Sequence, residues 1–207
     1  MKRAPVESVQ AAAGRRRREA SAAGILAATR RLLASGDAMA QLSVERILAE
    51  AGVSRATFYA CFPDKHAVVG ALAQESLAWR ETVSGEALAD RRLRRATLDD
   101  LMRAIVGHWR DNRAVLAAII ELAEHDPAMR NAWRGAVGEI ATQTAGHLHS
   151  RWAGSPDAPA DIDAVAAALT WMFERCCHQL VVDDPSAESV AMALSEILWR
   201  TVTYRTR

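Results

Sequence analysis

The chain has 207 residues, half of them hydrophobic and a quarter charged, with a formal net charge of +1. That length and composition exclude a disordered chain and allow one sizeable core, or a small domain joined to a larger one. The three cysteines, Cys61, Cys176 and Cys177, lack CxxC spacing and imply no disulfide framework. Apolar stretches such as 164–173 fall short of the roughly 20 residues of a spanning helix, so the chain reads as cytoplasmic with no membrane partner. Ala and Leu are abundant, and no alternating β-branched run marks a strand, so the fold class is all-α. The charge is uneven. Residues 1–65 carry eleven Lys or Arg against six Asp or Glu, a net +5 against −4 for the remainder. A small basic unit on a mildly acidic body is the electrostatic pattern of a nucleic-acid partner on one side only.

In chain order, residues 1–18 lack apolar periodicity and end in Arg15, Arg16, Arg17 and Arg18, which predicts a mobile basic arm. Ile25, Thr29, Leu32 and Leu33 then fall on one helical face, giving a first helix from about Glu19 to Ser35 that stops at Gly36. Ser43 is an N-cap for a short second helix carrying Val44, Ile47, Leu48 and Ala51, which Gly52 ends. Ser54 caps a third helix with Phe58 and Phe62 on its apolar side, and Pro63 closes it. Asp64 caps a fourth helix to about Ser84, and 90–95 reads as a solvated connector. Helices follow near 97–111, 113–124, 127–152, 161–182 and 186–204. Asp126-Pro127, the turn-rich 154–159 and 183–186 punctuate them.

Two short, serine-capped helices joined by Ala51-Gly52-Val53, each with a single apolar stripe, have the layout of a helix-turn-helix. Gly52 suits the left-handed backbone at the end of the first of them. With Val53, Phe58 and Phe62 turned inward, Arg55, Thr57 and Tyr59 are left with outward polar groups. The run Ala51-Gly52-Val53-Ser54, the triplet Thr57-Phe58-Tyr59, Phe62 and Lys65 together resemble the DNA-binding signature of the TetR family of bacterial repressors.

The resemblance covers roughly the first third of the chain and implies an N-terminal three-helix helix-turn-helix domain (19–66) after the arm (1–18). A larger C-terminal helical domain (67–207) for ligand binding and dimerisation follows from it. It places the third helix in the major groove of a double-stranded DNA operator, with Arg55 reading a base and Ser43, Ser54, Thr57, Tyr59 and Lys65 contacting phosphates. Ala60 and Cys61 depart from the aromatic and histidine common in the family, and the Arg15–Arg18 run is a candidate substitute contact.

The family further implies a homodimer built on the last two helices, a palindromic operator and release by a small hydrophobic inducer, with no enzymatic activity and no cofactor. The stripes Ile162, Val165, Ala166, Leu169 and Val190, Leu194, Ile197, Leu198 are compatible with such pairing. Six tryptophans are many for this length. Met102, Trp109, Trp133, Trp171, Phe173 and Trp199 are the candidate walls of an apolar ligand cavity. The 171–176 segment and Trp199 also resemble the branch typified by a regulator of ethionamide sensitivity, although Thr170 and Phe173 replace that branch's ligand-binding asparagines. Three other readings use a cysteine redox sensor, a metal at His147 and His149, and an acid/base pair of Glu121 and His125. The histidines at i and i+2 do not share a helix face, and no phosphate loop, nucleophile elbow or metal motif accompanies the acid/base pair.

Overall fold

The computed structural model describes residues 9–39, 41–88 and 94–203. Among them are nine helices and no strand: α1 (Val9–Ala34), α2 (Val44–Ala51), α3 (Arg55–Cys61), α4 (Lys65–Leu88), α5 (Arg95–Asp111), α6 (Arg113–His125), α7 (Pro127–Trp152), α8 (Ile162–Leu180) and α9 (Asp184–Thr203). Contacts divide the chain into two compact units, 1–72 and 73–207. No helix among the described residues is long and apolar enough to cross a membrane.

The first unit is built from α1 to α3 and the opening turns of α4. Ile25, Ala28, Thr29, Leu32 and Leu33 of α1, Ile47 of α2 and Phe58 of α3 are all buried, and each of these helices packs on the other two. Thr29 satisfies its buried hydroxyl by donating to the Ile25 carbonyl at 2.9 Å. Val68, Val69 and Leu72 are also sealed from solvent. They are why the unit ends at 72, whereas the sequence reading ended the domain at 66: α4 does not begin the second unit but first completes the core of the first.

The arm differs as well. Residues 9–18 are the first part of α1, with Arg15, Arg16, Arg17 and Arg18 exposed along it. Ala and Arg have high helix propensity, and the turns from 19 onward supply a nucleus from which the helix extends without needing an apolar stripe. The rest of the expected arm, residues 1–8, lies outside the described residues, as do most of the expected 90–95 connector and the end of the last helix.

In the second unit, α5 lies along α9 and α7 along α8. The α5 residues Leu98, Leu101, Met102, Ile105 and Val106 and the α9 residues Ala187, Val190, Ala191 and Leu194 are buried at spacings of three and four, the period of one helical face. Polar pairs flank that contact. Ser195 donates to Asp99 at 2.5 Å, Arg103 meets Glu188 at 3.0 Å and Arg110 meets Asp184 at 2.9 Å. Arg95 bridges Asp99 and Glu196. The Ser195 hydroxyl, followed by Arg95, holds the Asp99 carboxyl below its ordinary range. A second cluster joins α7, α8 and α9 through Leu148, Trp152, Ala166 and Val202. Local caps end the helices where the punctuation predicted. Asp126 accepts from Ala128 N–H at 2.8 Å, and Asp183 and Ser186 bond each other's backbone N–H at 2.8 and 2.9 Å.

Phe58 carries the first unit's core, and the tryptophans all lie in the second unit. Phe58→Ala should therefore lower the stability of the first unit by about 3–5 kcal/mol. In urea, helix content measured by circular dichroism should begin to fall earlier while the tryptophan fluorescence midpoint stays in place.

Candidate nucleic-acid interface and an internal cavity

The reading head is assembled from local signals. Ser43 accepts from Arg46 N–H at 3.2 Å and starts α2; Gly52 ends it at φ +65°, with its N–H on the Leu48 carbonyl. Ser54 then accepts from Thr57 N–H at 3.1 Å and shares a 2.8 Å hydrogen bond with the Thr57 hydroxyl. These caps fix α3 with Phe58 at 0% exposure while Tyr59, one residue further on, is 48% exposed. The two rings meet edge to face at 5.4 Å, so Phe58 holds Tyr59 in place from beneath.

Five of the six expected DNA contacts lie on or beside this surface. Ser43, Ser54, Arg55 and Tyr59 are exposed and Thr57 is half-buried. The Ser43 and Ser54 hydroxyls act as caps, and Ser54 keeps Thr57 oriented. Arg55 pairs with Glu45 across the two helices, both side chains being well over half exposed. The Glu45 carboxyl lies below its ordinary value, chiefly through a backbone hydrogen bond and secondarily through Arg55. An ion pair this open to water exchanges readily for another anion.

Lys65 is placed differently. Its ammonium donates to the Met39 carbonyl at 3.1 Å and the Leu42 carbonyl at 2.9 Å, so that it pins the segment before α2 to the start of α4. The sequence reading put this charge on a phosphate; in the structure it meets two carbonyls more than twenty residues away in the chain. Arg46 with Asp37 at 3.0 Å and Arg31 with Glu50 at 2.6 Å tie the same region together. Cys61 donates weakly to the Arg18 carbonyl, at 3.6 Å.

The second unit contains two neighbouring cavities of about 40 and 250 Å³ that share Arg80, Ile105, Ile140 and Phe173 in their walls. Of the residues named as candidate cavity walls, Trp109, Trp133 and Phe173 line the smaller and Met102 and Phe173 the larger. Trp171 does not belong to either. It is 40% exposed and lines an open surface hollow with Trp133 and Arg134. Trp199 is half-buried on α9, away from both walls.

What the sequence reading missed is the α4 wall. Ala73, Ser76 and Arg80 follow one another at three and four residues, the spacing of a single helical face, and all border the smaller cavity. Trp79 stacks on His108 with ring centroids 3.9 Å apart, and Ser76 bonds His108 Nε2 at 2.8 Å. The Arg80 guanidinium lies 5.2 Å from the Phe173 ring centre. Glu174, 4% exposed, borders the smaller cavity too, and burial pushes its carboxyl up from the ordinary range. Those spacings on α4 were the available signal.

The cysteine and metal readings gain no support. Cys61, Cys176 and Cys177 are free thiols, and burial pushes Cys177 up to about 12, away from the reactive thiolate. His149 faces Asp163 at 3.1 Å whereas His147 borders the larger cavity, so the two histidines do not converge. Among the described residues no group of three or more His, Cys, Asp or Glu is arranged to hold a metal.

Serine-capped α3 thus presents Arg55 and Tyr59 above a buried phenylalanine. The profile described as bacterial regulatory proteins of the tetR family matches residues 25–72, and that of the C-terminal domain of the transcriptional regulator EthR matches residues 98–204, half of the chain. The chain belongs to the tetR family of transcriptional regulators. Its members are regulators, not enzymes, and this tetR-family protein carries their DNA-binding helix-turn-helix.

No curated protein matches the chain. Solved structures do. A TetR-family regulator from Syntrophomonas wolfei is 13% identical, with 91% of this chain and 97% of that one covered and a TM-score of 0.74. The fatty acid degradation regulator FadR from Bacillus halodurans is 16% identical, covering 89% and 97%, at 0.71. GusR from Salmonella enterica is 19% identical, covering 89% and 96%, at 0.70. At these identities the structures share the fold.

Lys65→Ala should remove two charge-assisted hydrogen bonds and cost about 2 kcal/mol of stability in the head, read as an earlier loss of helix in urea. The slope of DNA affinity against salt should stay unchanged. A slope lowered by about one phosphate contact, with stability intact, would return Lys65 to the DNA.

Proposed function

We propose that two copies of this chain bind a palindromic operator and repress transcription, and that a small, largely apolar ligand in the α4–α8 cavity releases them. The observation that carries the DNA half is the exposed α3 surface. Arg55 is the base reader, because a guanidinium freed from Glu45 can bridge two acceptors on a guanine edge. Ser43, Ser54, Thr57 and Tyr59 fix register by donating to phosphates, which carry no sequence information themselves. The exposed arginines 15–18 on α1 add sequence-independent attraction, in a unit that is basic overall.

Support for pairing of two copies comes from the apolar residues that α8, α9 and the link between them leave exposed. Trp171 is 40%, Leu180 55%, Val182 58% and Ile197 42% exposed. Trp171 thereby moves from the cavity to the surface a second copy would cover. The ligand half rests on the aromatic and methionine lining of the paired cavities. Release follows if the ligand binds better to the state whose two heads are wrongly spaced for the operator, and its effect is bounded by that difference in affinity. Helix α4 is the element that both units share in sequence.

The test is a binding profile of wild type and Arg55→Ala across randomised duplexes. The variant should lose about 1–3 kcal/mol of specific binding and its preference at one base pair in each half-site. An unchanged profile would take base reading away from Arg55.

A further inference from the structure

We infer that the ligand is an organic acid whose carboxylate is held by Arg80, within the cavity assigned above to the releasing ligand. This rests on that cavity reading and names the chemistry of its occupant. Arg80 borders both chambers. Its Nε is sealed from solvent and has no hydrogen-bond partner, and among the described residues no carboxylate forms an ion pair with the guanidinium. The Phe173 ring lies 5.2 Å away. Burial pulls the group down to about 10, so it is still charged at neutral pH.

Arg80 is half-buried, and a guanidinium drawn partly out of water without a counter-ion is costly and is normally paired. Here the partner is absent from the chain's own described residues, while a cavity lies directly against the charge. A carboxylate entering that cavity would supply two acceptors in the planar geometry a guanidinium matches.

The two chambers differ in a way that selects the sign of the ligand. Glu174 borders only the smaller one, and its carboxyl is displaced by burial toward the neutral form. Among the described residues, no acidic side chain lines the larger chamber. Its polar groups are Ser84, Gln143, Thr144, His147 and Thr170 besides Arg80. Leu101, Met102, Leu169 and Leu198 provide the surface for a hydrocarbon portion. A cavity of about 150 Å³ accommodates benzene. The 250 Å³ chamber therefore suits an acid on the order of ten non-hydrogen atoms, such as a medium-chain or arylalkyl carboxylate.

The experiment compares octanoate and 4-phenylbutyrate with their uncharged amides, titrated into the purified full chain by calorimetry and tryptophan fluorescence. Wild type should bind each acid at least tenfold tighter than its amide. Arg80→Met should erase that preference while changing amide affinity less than threefold, and Arg80→Lys should retain part of it. Without ligand, Arg80→Met should melt at the same temperature as wild type or higher, because a half-buried guanidinium with an unpartnered Nε has been replaced by an apolar chain of similar length.

Acids that bind no tighter than amides, or not at all, would overturn the proposal. So would an Arg80→Met variant that melts lower and loses both ligands alike, since Arg80 would then be structural. Release from DNA is scored separately on a retained duplex. Amides that bind and release DNA as well as acids would leave the proposed function standing and remove the carboxylate. Acids bound through Arg80 that leave the DNA complex intact would support this inference and sink release by ligand.

Discussion

The outward chemistry of residues 43–62 depends on one buried contact, the apolar surface that α1, α2 and α3 close around Ile47 and Phe58. A seven-residue helix has no stability of its own in water. It exists because Ser54 caps one end and Phe58 is fully enclosed at its centre. Since 3.6 residues make a turn, burying Phe58 turns Arg55 and Tyr59 toward solvent. The glycine at φ +65° sets the angle between α2 and α3 by allowing a left-handed residue that other side chains resist. Lys65 completes the frame from the far side by holding two carbonyls ahead of α2. The DNA-reading surface is in this sense the reverse side of a small core.

The larger unit follows a different economy. Its α5–α9 contact is apolar in the middle and lined with ion pairs at the edges, an arrangement that fixes the register of two long helices. Its interior around α4 is left incomplete. Two chambers remain, and the groups around them include a guanidinium and a carboxylate with unpartnered buried atoms. Proteins tolerate such local losses of stability where a site must stay open for something else. A structural core would have filled the space with a methionine or leucine.

Much of the fold was legible because its signals are local. Caps at Ser43, Ser54, Asp64 and Asp126, the stop at Gly52, and Pro127 at a helix start are chemical consequences of unpaired backbone groups at helix ends, and they set boundaries to within a residue or two. The α1 extension was missed for the opposite reason. Periodicity reports what a helix buries, and residues 9–18 bury little, so propensity alone carried the information. The first unit's true end at 72 was hidden because α4 is one uninterrupted helix whose early valines serve one core and whose later residues serve another.

The site was legible in its types but not in its long-range partners. That Lys65 reaches Met39 and Leu42, and that Glu45 meets Arg55, depends on how three helices pack, which no short window encodes. Of the tryptophans named as candidate cavity walls, 109 and 133 border the smaller cavity whereas Trp171 is exposed, a distinction that hydrophobicity cannot make. Arg80 was passed over because a charged residue on a long helix normally faces water, whereas here it is half-buried against a cavity. The claim on which all of this converges is sequence-specific DNA recognition by a symmetric pair of heads. Its most direct measurement is selection of genomic fragments retained by the purified protein at physiological salt. The account predicts enrichment of a short two-fold symmetric sequence whose half-sites are about one helical turn apart, or a multiple of it. A retained pool with no shared symmetric sequence would contradict it.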